Sequence, residues 1–258
     1  MRGFLASGAW ICHTGKIRKV NEDACLFGGT FGGASTSAPM RSSLKKSPWV
    51  LALADGIGGH RAGAYASREV LAGLDAAQEF TTAAIGEVLQ ETNRKLHEKG
   101  RAQPEFEGTG TAVVGLVSGL DGLFGFNVGD ARLYRQQSGR IVQVSRDDSV
   151  EQLLIHEGLL EATEGVRSNY MHALTQSVGG SSELQRLDPH FYPLAVKSAA
   201  RFLLCTDGLT DMLSNKIIES YMVPQLKLVS AVQSLFSAAM EAGGRDNITI
   251  AIVDVEKA

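Results

Sequence analysis

Apolar residues along the chain recur with two different periods. WVLALAD (49–55), RFLLCTD (201–207) and ITIAIVDV (248–255) are short apolar runs bounded by polar residues, the pattern of buried strands. Over 110–145 the segments TAVVGLVS, LFGFNVG, ARLYRQ and IVQVS are punctuated by turn residues at Gly119 to Gly122 and at Ser138-Gly139, which predicts an antiparallel meander. Elsewhere the spacing turns helical. Val70, Leu71, Leu74 and Ala77, then Ile85, Val88, Leu89 and Leu96, predict a helix pair over 62–80 and 83–99. Val229, Val232, Leu235, Phe236, Ala239 and Met240 predict a further helix over 226–242, with Gly243 and Gly244 as its stop. Residues 9–27 read as two short strands around a polar turn at His13 to Lys16. Strand blocks alternating with helix pairs indicate an α+β protein whose antiparallel sheets are covered by helices.

Two stretches depart from these periods. From Gly28 to Pro48, thirteen of twenty-one residues are Gly, Ser, Thr or Pro, which predicts a flexible surface loop. Residues 149–180 are polar and short-helical and read as peripheral.

The composition, 44% hydrophobic and 21% charged, is that of a globular protein and excludes a disordered or collagen-like chain. Lys and Arg number 25 against 28 Asp and Glu, a formal charge of −3, and no basic run gives the footprint of a nucleic-acid binder. No apolar run reaches the ~18–20 residues of a membrane span. Ser7 and Gly8 interrupt the short apolar start, so the expected location is the cytoplasm. Cys12, Cys25 and Cys205 form neither a disulfide framework nor a thiolate zinc pattern.

The aspartates carry the chemistry. Asp55, Asp130 and Asp207 each fall where an apolar run ends, and Asp246 lies just before ITIAIVDV. Glu22 and Asp23 add acidic groups near the second predicted strand, and Asp211 follows Asp207 by four residues. A single Asp-Gly is an ordinary turn, and Asp121-Gly122 between two strands reads as one. Several carboxylates gathered at strand ends repel one another unless a cation or shared protons compensate them. With oxygen donors and no His or Cys at ligand spacing, the set suits Mg²⁺ or Mn²⁺ rather than zinc. Two such ions ~3.5–4 Å apart activate a water for in-line attack on phosphorus. Arg18 lies four residues before Glu22. On a strand both would share a face, placing a guanidinium fork for phosphate beside the ions.

GKIRKVNEDA, VLALADGIGGHRAGAYAS, GTGTAVV, FNVGDARLYR, LLCTDGLTDML and GGRDNITIAIV, in this order over residues 9–255, resemble the metal-dependent protein phosphatase 2C (PPM) family in its bacterial form. The resemblance implies one domain over 1–258, an α-β-β-α sandwich of two antiparallel sheets flanked by pairs of antiparallel helices. It further implies two Mn²⁺ or Mg²⁺ ions and activity on phosphoserine and phosphothreonine in proteins, reversing a Ser/Thr kinase. Carried onto this chain, Asp55 bridges both ions and the Gly56 carbonyl binds one, while Asp207 and Asp246 hold the other. Glu22 and Asp23 act directly or through water, Arg18 receives the phosphate, and Asn247 supports Asp246. Asp130 and Asp211 match a third, weaker ion site, and residues 149–190 match a flap. The mechanism implied is direct hydrolysis by a hydroxide bridging the two ions. The expected partners are phosphoproteins and a kinase, with no nucleic acid or membrane, and the chain is expected to be a monomer.

The chain also departs from the pattern. In many eukaryotic members a His follows the Asp-Gly; here that residue is Ile57, and His60, two glycines further on, reads as structural. The family's Asp-His-Ser before the flap is Asp147-Asp148-Ser149 here, and the 28–48 insertion is long. A rival reading takes Cys12 to Arg18 as the C-x-x-G-x-x-R loop of a cysteine-dependent phosphatase, which requires a following helix to lower the thiol pKa. The other rival is a pseudophosphatase that binds without catalysis.

Overall fold

A computed structural model of the protein describes residues 3–58, 61–160 and 173–258. His60, which the sequence pattern drew attention to, lies outside the described residues. Among the described residues thirteen strands form two antiparallel sheets. The first contains β1 (Phe4–His13), β4 (Met40–Leu44), β8 (Arg132–Gln137), β9 (Arg140–Gln143), β12 (Ala199–Cys205) and β13 (Ile248–Lys257), in the order β4-β1-β13-β12-β8-β9. The second contains β2 (Ala24–Phe27), β3 (Thr30–Gly32), β5 (Trp49–Ile57), β6 (Gly110–Gly119), β7 (Gly122–Val128) and β11 (His190–Pro193), in the order β11-β7-β6-β5-β2-β3. The short β10 (Val178–Gly179) adds to β6. The helices are α1 (Arg61–Asp75), α2 (Thr82–Ala102), α3 (Val150–His156), α4 (Asp207–Thr210), α5 (Asn215–Tyr221) and α6 (Leu228–Glu241).

Strand alternation explains the layering. On β5, Trp49, Leu51 and Leu53 enter a core shared with Phe202 and Leu204 of β12 and Ala251, Val253 and Val255 of β13, between the sheets. Val50, Ala52 and Ala54 point the other way, to a second core with Val70, Leu71 and Leu74 of α1 and Ile85 and Leu89 of α2. On β13, Ile248, Ile250 and Ile252 face a third core with Val232, Leu235 and Phe236 of α6. Strands apolar on both faces are therefore sandwiched on both faces, giving four layers, helix-sheet-sheet-helix. Each fully buried Leu or Ile stabilises this arrangement by ~1.5–3 kcal/mol. The start of α2 is set locally: Thr81 Oγ1 accepts from the Ala84 N–H at 3.1 Å, and Asp121, in the β6–β7 turn, accepts from the Thr82 N–H at 2.8 Å.

Three expectations need correction. The segment 28–48 is not a loop throughout, since it supplies β3 on the edge of one sheet and β4 on the edge of the other. At two positions bulky neighbours require glycine, since a side chain at Gly28 would meet Leu44 and one at Gly32 the Trp10 ring, and Trp10 Nε1 lies 3.4 Å from Ser42 Oγ as donor. Residues 9–27 do carry two strands, β1 and β2, but in place of a short turn residues 14–23 cross between the two sheets to which they belong. The meander likewise divides into two hairpins, β6–β7 and β8–β9, with residues 129–131 crossing between sheets. Among the described residues no helix is long and apolar enough to cross a membrane.

Candidate active site

The crossings between sheets and the ends of β5 and β12 carry the acidic residues singled out in the sequence. Arg18, Glu22 and Asp23 lie on the 14–23 crossing, Asp55 and Gly56 near the end of β5, and Asp130 on the 129–131 crossing. Asp207 opens α4, Asp211 closes it, and Asp246 and Asn247 precede β13. Arg18 and Glu22 therefore share an irregular loop and not a strand face, which corrects the spacing argument.

Asn247 shapes that loop. Its Nδ2 donates to the carbonyls of Thr14 (2.9 Å) and Val20 (3.0 Å), and its Oδ1 accepts from the Glu22 N–H at 2.7 Å. One amide thus holds both ends of the segment bearing Arg18 next to Asp246. The Glu22 carbonyl accepts from Ser67 Oγ of α1 at 2.6 Å. Gly56 fits only as glycine, because a Cβ there would strike the Gly63 carbonyl and lie 2.6 Å from the Glu22 carbonyl oxygen.

Asp23 is only 2% exposed. Its Oδ2 accepts from Thr206 Oγ1 at 2.9 Å and Thr249 Oγ1 at 2.7 Å, whereas its buried Oδ1 has no hydrogen-bond partner. Burial pushes this carboxyl up to about 7, with the charges of Asp207 and Asp246 adding to the rise. Asp207 is pushed up to about 6 by burial and by Asp211 and Asp246. Burial also raises Asp55 well above the carboxylate range, and Asp23, Asp207 and Asp130 reinforce it. Asp130 rises through burial and the charges of Asp207 and Asp147, against the pull of Arg132. These groups feel one another's charge, so the structure brings Asp23, Asp55, Asp130, Asp207, Asp211 and Asp246 into one electrostatic cluster. At its mouth Arg18, half exposed, donates from Nη2 to Asp246 Oδ2 at 2.6 Å.

The donors fit a hard divalent cation. All are oxygens, the carboxylates outnumber the cations Arg18 and Arg132 that act on them, and Asp23 Oδ1 is a buried acceptor that lacks a donor. Among the described residues no three His, Cys, Asp or Glu side chains form a ready cage, and an ion that keeps several waters does not need one.

The cysteine reading fails on geometry. Cys12 is 0% exposed and sits inside β1, hydrogen-bonded through both β13 and the 14–23 loop, with no helix after it. Burial, then the Asp23 charge, pushes its thiol up to about 12, the opposite of an activated nucleophile.

Sequence reasoning missed Thr206 and Thr249, which hold Asp23. Thr249 left a trace, as the one hydroxyl in the apolar run ITIAIV. It also missed the pairing of Asp148 with Gln176 and His190, which are distant in sequence.

The profile of the family described as Protein phosphatase 2C matches residues 40–247, which include Asp55, Asp130, Asp207, Asp211, Asp246 and Asn247. Serine/threonine protein phosphatase PstP of Mycobacterium tuberculosis is 31% identical over 216 residues, covering 80% of this chain and 40% of PstP. The chain thus spans well under half of that relative's length. Protein phosphatase PhpP of Streptococcus pneumoniae is 31% identical over 216 residues, covering 81% of this chain and 86% of PhpP. Among solved structures, M. tuberculosis PstP/Ppp superposes with a TM-score of 0.80 at 26% identity, over 98% of this chain and 99% of that one. The PstP catalytic domain in complex with two manganese ions gives 0.78 at 26% identity, over 98% and 100%. The profile spans most of the chain and the superpositions cover both sheets: the chain belongs to the protein phosphatase 2C family.

Proposed function

We propose that this chain is a protein serine/threonine phosphatase that hydrolyses phosphoserine and phosphothreonine with two Mn²⁺ or Mg²⁺ ions. The observation that carries the reading is the convergence of buried, mutually repelling carboxylates, one with an orphaned oxygen, beneath a guanidinium at the mouth. Asp55, the Gly56 carbonyl, Asp207, Asp246, Glu22 and Asp23 would hold the two ions, and Asp130 and Asp211 a third, weaker one. Bound there, divalent ions supply Lewis acidity toward the phosphoryl group and lower the pKa of a water.

The chain's own groups do the positioning. Arg18, which donates from Nη2 to Asp246, would offer its guanidinium to non-reacting phosphate oxygens, and its loop is fixed by Asn247. Thr206 and Thr249 keep Asp23 oriented while leaving Oδ1 available. Ile57, the residue after Asp55-Gly56, has no titratable proton, so protonation of the leaving Ser or Thr oxygen falls to water or to an acid other than this residue. The same reading makes phosphoproteins and a Ser/Thr kinase the partners and the cytoplasm the site of action, a reducing compartment that suits three buried free thiols.

The test is hydrolysis of p-nitrophenyl phosphate and a phosphothreonine peptide with Mn²⁺ and with EDTA, for wild type, Asp207→Asn and Asp246→Asn. Wild type is expected to turn over only with metal, and both variants to fall by at least about 100-fold with the far-UV spectrum unchanged. Inactive wild type with Mn²⁺ would refute the reading, and near-wild-type variants at low Mn²⁺ would refute the ligand assignment.

A further inference from the structure

Behind Asp130 lies a polar cluster that the proposed chemistry does not use. Asp148 is buried, and its carboxylate gathers donors from three separate segments. Oδ2 accepts from the Gly129 N–H (2.9 Å) and Gln176 Nε2 (2.9 Å), and Oδ1 lies 2.8 Å from His190 Nε2, which is the donor to an ionised carboxylate. The Asp148 N–H donates to the Gly129 carbonyl at 3.0 Å, and its own carbonyl accepts from the Thr175 N–H at 2.8 Å.

A second strut meets the same turn. Asn127 Nδ2 donates to the carbonyls of Gly129 (3.0 Å) and Arg146 (2.8 Å), and its Oδ1 accepts from the Tyr192 hydroxyl at 2.9 Å. His190 and Tyr192 are two residues apart on β11 and so share a face, with His190 opposite Asn127 in the register. The described ends of the 149–175 stretch also meet here: Ser149 bridges to Leu174, and the Val150 N–H donates to the Ala173 carbonyl at 3.0 Å.

Gly129 has a positive φ of 94°, and its N–H and carbonyl are both held by side chains from outside the turn, Asp148 and Asn127. We propose that Asp148, itself held by Gln176 and His190, is a positioning residue that fixes the Gly129-Asp130 turn and thereby sets the Asp130 carboxylate for the third, weakest divalent ion. The inference rests on the phosphatase reading for the identity of that ion site. Its mechanism is that of outer partners of metal ligands, whose loss typically weakens metal binding ~10–100-fold.

The test is calorimetric titration with MnCl₂ alone, without substrate, on wild type, Asp148→Asn, His190→Phe and His190→Gln. Asp148→Asn puts an NH₂ where an acceptor oxygen met an N–H donor. The weakest Mn²⁺ equivalent is expected to lose ~10-fold in affinity while the two tighter ones stay within about twofold. His190→Phe, on an edge strand, should weaken the same equivalent by about threefold or more, and it carries the test if Asp148→Asn does not fold. His190→Gln keeps an N–H donor and should stay within about twofold of wild type. Three results would overturn the proposal: a weak equivalent unchanged in both Asp148→Asn and His190→Phe, equal weakening of every equivalent, or no weak equivalent in wild type. Absence of Mn²⁺-dependent hydrolysis by wild type would sink the phosphatase reading instead, and the isotherms would still decide the positioning role.

Discussion

Asp23 allows the electrostatic reasoning to be tested against stability, independently of turnover. Its carboxyl ordinarily titrates at 3.8 and in the fold at about 7, so folding favours its protonated form. At pH 8 the folded protein without metal carries this carboxylate ionised and buried. At 1.36 kcal/mol per pH unit the difference, 7 − 3.8, corresponds to at most ~4 kcal/mol. Because Asp207 and Asp246 share the effect, ~1–3 kcal/mol belongs to Asp23 alone. Asp23→Asn removes the charge, keeps the shape, and leaves one carbonyl oxygen for Thr206 or Thr249.

The signs follow from linkage. The folded state binds more protons than the unfolded state between pH ~4 and ~7, so the stability of the metal-free wild type falls as pH rises through that window. In EDTA at pH 8 Asp23→Asn should therefore melt higher than wild type by about 2–12 °C, using ~2–4 °C per kcal/mol for a chain of this size. At pH 5, where Asp23 is already protonated, most of that gain should vanish. Saturating Mn²⁺ should reverse the order at pH 8, because ligand binding stabilises the protein that binds it better. Thermal melts followed by circular dichroism at pH 5 and 8, each with EDTA and with Mn²⁺, decide the matter. If Asp23→Asn were destabilised in EDTA at pH 8, or shifted equally at both pH values, the account of this carboxylate would be wrong.

Two further predictions concern the surroundings of the cluster. Asn247→Ala removes three hydrogen bonds to the loop bearing Arg18 and should cost ~2–3 kcal/mol in urea unfolding, with kcat/KM falling ~10–100-fold; a variant at wild-type activity would show that the loop needs no clamp. Cys12→Ser keeps an acceptor for Asn21 and a donor for the Asp23 carbonyl, so Mn²⁺-dependent hydrolysis should stay within about twofold and wild type should resist iodoacetamide; loss of activity in this variant would revive a role for the thiol.

The strands and long helices were legible because apolar periodicity is a local property, and so was the line of aspartates ending apolar runs. The partition of strands between sheets was not. β5 is apolar on both faces, so alternation cannot show which face meets a helix and which meets another sheet. The crossings at 14–23 and 129–131 use the same turn residues as a hairpin, and only long-range pairing distinguishes them. In 28–48 small residues signalled a loop, yet Gly28 and Gly32 are small because Leu44 and Trp10 leave no room for a side chain. The Asp148 cluster was invisible for a related reason. Its partners stand 19, 28 and 42 residues away, and no spacing rule links them.

The edges of the two sheets bear on how the protein behaves at high concentration. An unpaired strand edge is a template for a neighbouring chain, and four such edges invite intermolecular pairing. Here each is short: β4 has five residues, β9 and β11 four, and β3 three. Their chemistry is also unwelcoming. Arg41 lies on β4 with Lys45 and Lys46 just after it, Arg140 opens β9, and Pro193 ends β11. The glycine- and serine-rich stretch that resembled a loop thus supplies one short margin to each sheet, which disfavours pairing of the broad apolar strands behind them with a neighbouring chain.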